Sequence, residues 1–193
     1  MTFSSRSEAA FTGLEAAIVL IAFVVVAAVF SYVMLSAGFF ATEKAQSTVH
    51  NSVVQSSSSL MLIGNVYGEA NPGNPYFTWV IFTVGLSPGG TPINFDNVTI
   101  VYSNATQLVT LSQGIRLDPQ PGTNLWTIAE VQNQPGAPND ILEPGEQFTI
   151  VCNVDTGIYA NDNFNIEVRP PVGTAFTITR TAPPEIAQYS NLY

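Results

Sequence analysis

Residues 4–34 read SSRSEAAFTGLEAAIVLIAFVVVAAVFSYVM. No polar residue falls between Ala16 and Phe30, and no charged one between Glu15 and Glu43. A run of that length crosses a bilayer as a helix. It is apolar all round and not along one stripe, so it must be surrounded by lipid or by other apolar helices. One carboxylate, Glu15, stands at its head, with a lone arginine, Arg6, before it. A secretory signal would be basic, then apolar, then small and cut at the far end. A plain anchor has no use for the acid, so Glu15 is the residue to explain.

The stem continues past Gly38 as ATEKAQSTVHNSVVQSSSSLMLIG, where Val49, Val53, Val54, Leu60 and Ile63 alternate with polar positions. This predicts one helix from Thr12 to near Gly64, about 75 Å long at 1.5 Å per residue. The serines at 56–59 are poor helix formers and weaken its last turns. From Asn65 the character changes. NPGNP and SPGG are turn clusters, and they separate short segments rich in β-branched and aromatic residues. YFTWVIFTVGL, NVTIVYS, QLVTLS, LWTIAEV, EQFTIVCNV, NFNIEVRP and AFTITRT all read as strands. The expected fold is α+β: a long N-terminal hydrophobic helix followed by an antiparallel β-sandwich or barrel of seven or more strands.

Composition excludes several functions. Fourteen Asp and Glu against five Lys and Arg, a net charge of −9 over 193 residues, leave no basic patch for nucleic acid. No glycine-rich phosphate loop and no alternation of strands and helices points to nucleotide binding. The single cysteine, Cys152, rules out an internal disulfide framework, and it reads as a buried, inert thiol on a strand. The single histidine, His50, reads as a helix-surface residue on the stem and makes a zinc site or a Ser-His-Asp triad hard to build. The acidic stretches around Asp140, Glu143, Asp155 and Asp162 lack EF-hand spacing and read as solvated surface, with calcium as the alternative. No cofactor, no metal and no catalytic residue is expected. Two sequons, NVT at Asn97 and NAT at Asn104, are candidate glycosylation sites.

The stretch AFTGLEAAIVLIAFVVVAAVF resembles the start of archaeal flagellins (archaellins), members of the type IV pilin superfamily. LEPGEQFTIVCNV and NFNIEVRPPVGTAFTITRTAPPEI resemble the closing part of archaellin domains, through Pro144, Gly145 and Glu146, then Gly173, Arg180, Thr181 and Pro183. The resemblance implies a pilin-like stem with an immunoglobulin-like head. Residues 1–10 would be a cleaved prepeptide, 11–64 the helix at the filament core and 65–193 the β-rich outer domain.

A prepilin-type signal peptidase would cut between Ala10 and Phe11, which makes Gly13 the third mature residue and Glu15 the fifth. The new α-amino group on Phe11 is charged at neutral pH. A carboxylate about one turn along, on the same or an adjacent subunit, would compensate it in an apolar bundle and sit well at the positive end of the helix dipole. The bland alternative makes Glu15 an interfacial residue at a membrane edge. Arg180 is either an edge-strand charge or a subunit contact.

The resemblance implies a helical polymer of many copies outside the cell, drawn from a membrane-held precursor and turned for swimming by a membrane motor complex that carries the ATPase. Two other readings remain open: an archaeal adhesion pilin with the same stem, and a monomeric membrane-anchored β domain.

Overall fold

The computed structural model describes the backbone of residues 4–193 and the side chains of residues 13–55 and 58–193. The chain divides into two compact units, Met1–Asn51 and Ser52–Tyr193. Helix α1 runs over Ser4–Ser57, 54 residues, or about 80 Å at 1.5 Å per residue. Every residue from Gly13 to Val53 is exposed, including Ile18, Phe23, Phe30 and Phe40. Surface of this kind is unstable in water, because each apolar side chain left exposed forgoes about 1.5–3 kcal/mol of burial.

The helix ends at Ser57, short of the expected Gly64. The Ser58 N–H and Oγ–H both donate to the Val54 carbonyl, at 2.9 and 2.7 Å, and close the last turn. Serine competes in this way for helical carbonyls, and so favours helix ends. Leu60 to Gly64, expected as the final helical turns, instead begin strand β1 (Leu60–Glu69). Leu60 pairs with Leu86 and Ile63 with Thr83 across the sheet, and this pairing overrides the helical spacing of the two apolar residues.

The second unit contains the strands β1, β2 (Tyr76–Leu86), β3 (Ile93–Asn94), β4 (Thr99–Asn104), β5 (Leu108–Gln113), β6 (Leu125–Gln132), β7 (Ile141–Leu142), β8 (Gln147–Tyr159), β9 (Asn163–Arg169), β10 (Phe176–Thr181) and β11 (Tyr189–Leu192). Nine of them form one sheet in the order β10-β9-β4-β5-β6-β8-β2-β1-β11, and β3 pairs with β7. The pairings are antiparallel except for β5 with β6, which meet in parallel over Ser112↔Leu125 and Gln113↔Trp126. Each of the seven segments expected as strands is a strand.

The alternation of buried and exposed residues in β2, β8 and β9 sends Phe77, Phe82, Phe148, Ile150, Phe164 and Ile166 into one core. Phe95, fully buried, meets Phe148 at 5.1 Å and Trp126 at 6.3 Å in edge-to-face contacts. Tyr102 stacks on Phe164 at 6.0 Å. Cys152 lies in the same core with no exposure, and burial pushes its thiol pKa up, which keeps it unreactive.

Candidate functional site

The most apolar exposed surface among the described residues is that of α1. Its continuity follows from the sequence, since valine, alanine, leucine, isoleucine and phenylalanine occupy all positions around the helix between Ala16 and Phe30. The segment Gly13–Gln55 is long and apolar enough to cross a membrane. Glu15 stands exposed at its head. Gly13, two residues earlier, has open space where a Cβ would be. The backbone at Ala10 and Phe11 is part of α1, while their side chains lie outside the described residues. Because α1 starts at Ser4, Glu15 lies inside the helix. It comes to a first turn only in a chain that begins at Phe11, where unpaired N–H groups and the helix dipole favour a carboxylate. His50 is exposed on the same helix.

The two sequons differ. Asn97 ends a short 3-10 turn, Phe95–Asn97, and is exposed, as is Thr99 two residues on. Asn104 is half-buried at the β4–β5 turn. Its Oδ1 accepts the Thr106 N–H at 3.0 Å, the Thr106 hydroxyl at 2.9 Å and the Gln107 N–H at 2.9 Å. Asparagine holds such turns because its side chain bonds backbone N–H groups two and three residues on. Asn104 also borders a groove of about 440 Å³ with Thr106, Thr156, Tyr159 and Asp162.

The acidic residues for which calcium is the alternative to solvated surface do not converge. Asp140 faces Arg116 at 2.9 Å; burial raises its pKa, and the arginine works against that rise. Asp162 accepts the Tyr159 N–H at 2.9 Å and caps the β8–β9 turn. The backbone N–H of Asp155 donates to Asn124 at 3.2 Å. The Glu143 N–H donates to the Glu146 carboxylate at 3.0 Å. Among the described residues, no three His, Cys, Asp or Glu side chains gather as a metal site.

The motif residues near the end of the chain have structural duties. Glu146, 2% exposed, closes the turn that Pro144 and Gly145 open, by bonding back to Glu143. Gly173 adopts a φ of 109°, and a Cβ there would run into the Ser58 carbonyl. The same carbonyl accepts the Thr174 N–H at 3.3 Å, and the Ser58 hydroxyl bonds that of Thr91. Ser58 is therefore held from three segments and is 1% exposed. Arg180 is half-buried on β10, and its guanidinium donates to the Thr179 carbonyl at 2.8 Å.

Sequence reasoning missed Ser58 and Glu69. The Glu69 carboxylate, 7% exposed, accepts the Tyr189 hydroxyl at 2.8 Å and the Gln120 amide at 3.3 Å, which ties β1 to β11 and to the loop before β6. No local pattern marks either residue; both are defined by partners distant in the chain.

Known proteins fit this arrangement. The family model for archaeal-type flagellin matches residues 10–180. "Probable flagellin 1" of Archaeoglobus fulgidus is 41% identical over 189 residues, covering 94% of this chain and 93% of its own. The "24 kDa flagellin" of Methanospirillum hungatei is 94% identical over 32 residues, 17% of this chain and 100% of the sequence matched. Among solved structures, the archaeal flagellum of Methanospirillum hungatei strain JF1 superposes with a TM-score of 0.72 at 33% identity, over 93% of this chain and 98% of that one. An apolar helix exposed from Gly13 to Val53 and joined to a many-stranded β unit agrees with these matches, and the chain belongs to the archaeal-type flagellin family.

Proposed function

We propose that this chain is a structural subunit of an archaellum, polymerising through α1 into a helical filament outside the cell that is rotated for swimming. The observation that carries this reading is the likeness, over nearly the whole of both chains, to the archaeal flagellum of Methanospirillum hungatei. The physical support is the bare apolar surface of α1. Packing against the helices of other copies removes that surface from lipid or water, and the contacts are repeated without closing into a ring. Function on this reading is mechanical and the subunit is not an enzyme.

The finer steps form part of the same proposal. The precursor waits in the cell membrane with α1 across the bilayer. A prepilin-type signal peptidase removes residues 1–10, exposing the Phe11 amine, and Glu15 of the same or an adjacent subunit compensates that charge as the helix enters the bundle. A membrane motor and assembly complex with its ATPase supplies the work. Asn97 and Asn104 are the candidate sugar acceptors on the outer unit.

The test is mass spectrometry of the N-terminal peptide from filaments sheared off intact cells, followed by swimming assays of a deletion strain. A peptide starting at Phe11, with swimming lost on deletion, is the expected result. A chain confined to membranes and still carrying residues 1–10 would overturn the reading. Loss of attachment with swimming intact would replace it with an adhesion pilin.

A further inference from the structure

We propose, on the reading of the chain as a filament subunit, that Ile115 and Leu117 form a contact surface for a second copy of the same chain. They lie in the segment that joins β5 to β6. A surface loop ordinarily turns apolar side chains inward and charged ones to water, and here the order is inverted. Ile115 is 80% exposed and Leu117 59%, while Arg116 between them turns in to face Asp140 at 2.9 Å, with only 23% and 25% of the two side chains exposed.

The exposure is built into the loop. The Gly114 N–H donates to the Trp126 carbonyl at 2.8 Å and the Leu117 N–H to that of Ile128 at 2.7 Å. The Thr127 hydroxyl donates to the Asp118 carbonyl at 2.7 Å. The Pro121 carbonyl accepts from Trp79 Nε1 at 3.1 Å and from Asn153 Nδ2 at 2.7 Å. Leu117 has a φ of 63°, a left-handed backbone that side-chain-bearing residues seldom adopt. A leucine held in that conformation with its side chain in water gains nothing inside its own subunit. Strain kept at a fixed surface position points to a role outside it.

Charge selects the occupant. Residues 52–193 carry eleven carboxylates against Arg116, Arg169 and Arg180, so most faces of two identical outer units repel each other. The Ile115 and Leu117 side chains are uncharged, and Arg116 between them is paired with Asp140, so Asp118 is the carboxylate that borders them in sequence. Two copies therefore approach there at lower electrostatic cost than across faces lined by several carboxylates, which a basic partner would seek instead. In a filament, copies of this chain are what surround each outer unit. An open helical polymer uses heterologous contacts, so the receiving surface is a different apolar patch of the neighbour.

The experiment uses full-length chain in sheared filaments. Cys152 is the single cysteine and is fully buried, so the thiol of an I115C variant is the one that reacts. Maleimide labelling of I115C is expected in detergent-dispersed subunits and is expected to be lost on assembly. Equal labelling in both forms overturns the contact. A second variant, I115S with L117N, removes the apolar surface, and asparagine tolerates the left-handed backbone. Its filaments are expected to dissociate at a lower temperature than the parent's, or not to form, while β-structure melts as in the parent. An unchanged dissociation temperature overturns the proposal. Absence of the parent chain from filaments would sink the assembly reading and the contact with it; parent filaments in which I115C stays open to label sink the contact alone.

Discussion

Thr181 and Tyr193 exchange both of their backbone hydrogen bonds: the Thr181 N–H donates to the Tyr193 carbonyl at 2.7 Å, and the Tyr193 N–H to the Thr181 carbonyl at 3.2 Å. Thr181 ends β10 and Tyr193 follows β11, the two outermost strands of the nine. The pair thus joins the two edge strands at one end, where their N–H and C=O groups would otherwise be unpaired. Exposed edges invite unwanted pairing between chains, a particular hazard where copies are concentrated along a fibre.

Leu192, 3% exposed, anchors this junction in the core beside its partner Val66. Leu192→Ala is expected to lower the stability of the β unit by about 2–4 kcal/mol, through lost burial and the cavity left behind. Thermal unfolding followed by circular dichroism measures it. A melting curve that coincides with the parent's would show that the edges hold without β11.

Gly173→Ala combines a left-handed backbone at φ 109° with a collision against the Ser58 carbonyl. Substitutions that strain such positions belong to the most damaging class, and the loss expected here is roughly 2–4 kcal/mol. The damage falls on the segment just after α1, so proteolysis near residues 58–60 should accelerate in the variant. Unaltered cleavage kinetics and stability would contradict the crowding at Ser58.

The sequons separate by their load. Asn104→Ala leaves the Thr106 and Gln107 N–H groups of the β4–β5 turn without their acceptor, and is expected to cost about 1–2 kcal/mol. Asn97→Ala removes an exposed side chain and should stay within about 0.5 kcal/mol. Chemical denaturation of the two variants side by side checks the order; equal effects would refute it.

Tyr189 gives a pH dependence. Its hydrogen bond to Glu69, and then the negative charge there, raise the phenol above its ordinary 10.0. A raised folded-state pKa means stability that is fully present below the unfolded value and lost as pH rises through the folded one. The tie between β1 and β11 should therefore fail in alkali, above about 10. Tyr102, which burial pushes up to about 12, adds a later step of the same sign. In Tyr189→Phe the melting temperature should start lower at neutral pH and fall less steeply above pH 10. Parallel curves for variant and parent would show that the Glu69 bond contributes nothing.

What the residues revealed in advance was what local chemistry decides. Seven strands were legible because β-branched and aromatic runs lie between Gly and Pro turns, and the apolar helix because nothing between Glu15 and Glu43 carries charge. The helix end was misplaced because Leu60 and Ile63 sit three apart, a spacing that suits a helix; only their pairing with β2 settles the matter. β11, with the sequence YSNL, is polar enough to pass for loop, and it is a strand because β1 offers it an edge. Gly173 and Glu146 were visible as motif letters, but their duties at Ser58 and Glu143 depend on contacts across the fold. Ile115 and Leu117 gave no signal, since their outward direction follows from the left-handed turn at Leu117 and the inward turn of Arg116.

A stem that is equally apolar on every side excludes water without preferring an azimuth. Polar residues of the kind that fix the register of one coiled-coil helix on another are missing between Ala16 and Phe30. In a fibre of such subunits the stems would therefore be indexed by the fit of large against small apolar side chains, and any polar mark of register would have to come from the β units. On the assembly reading proposed above, pitch and torsional stiffness would draw on the acidic β units, and a change of salt or of one surface leucine would alter how torque is carried without touching the apolar stem.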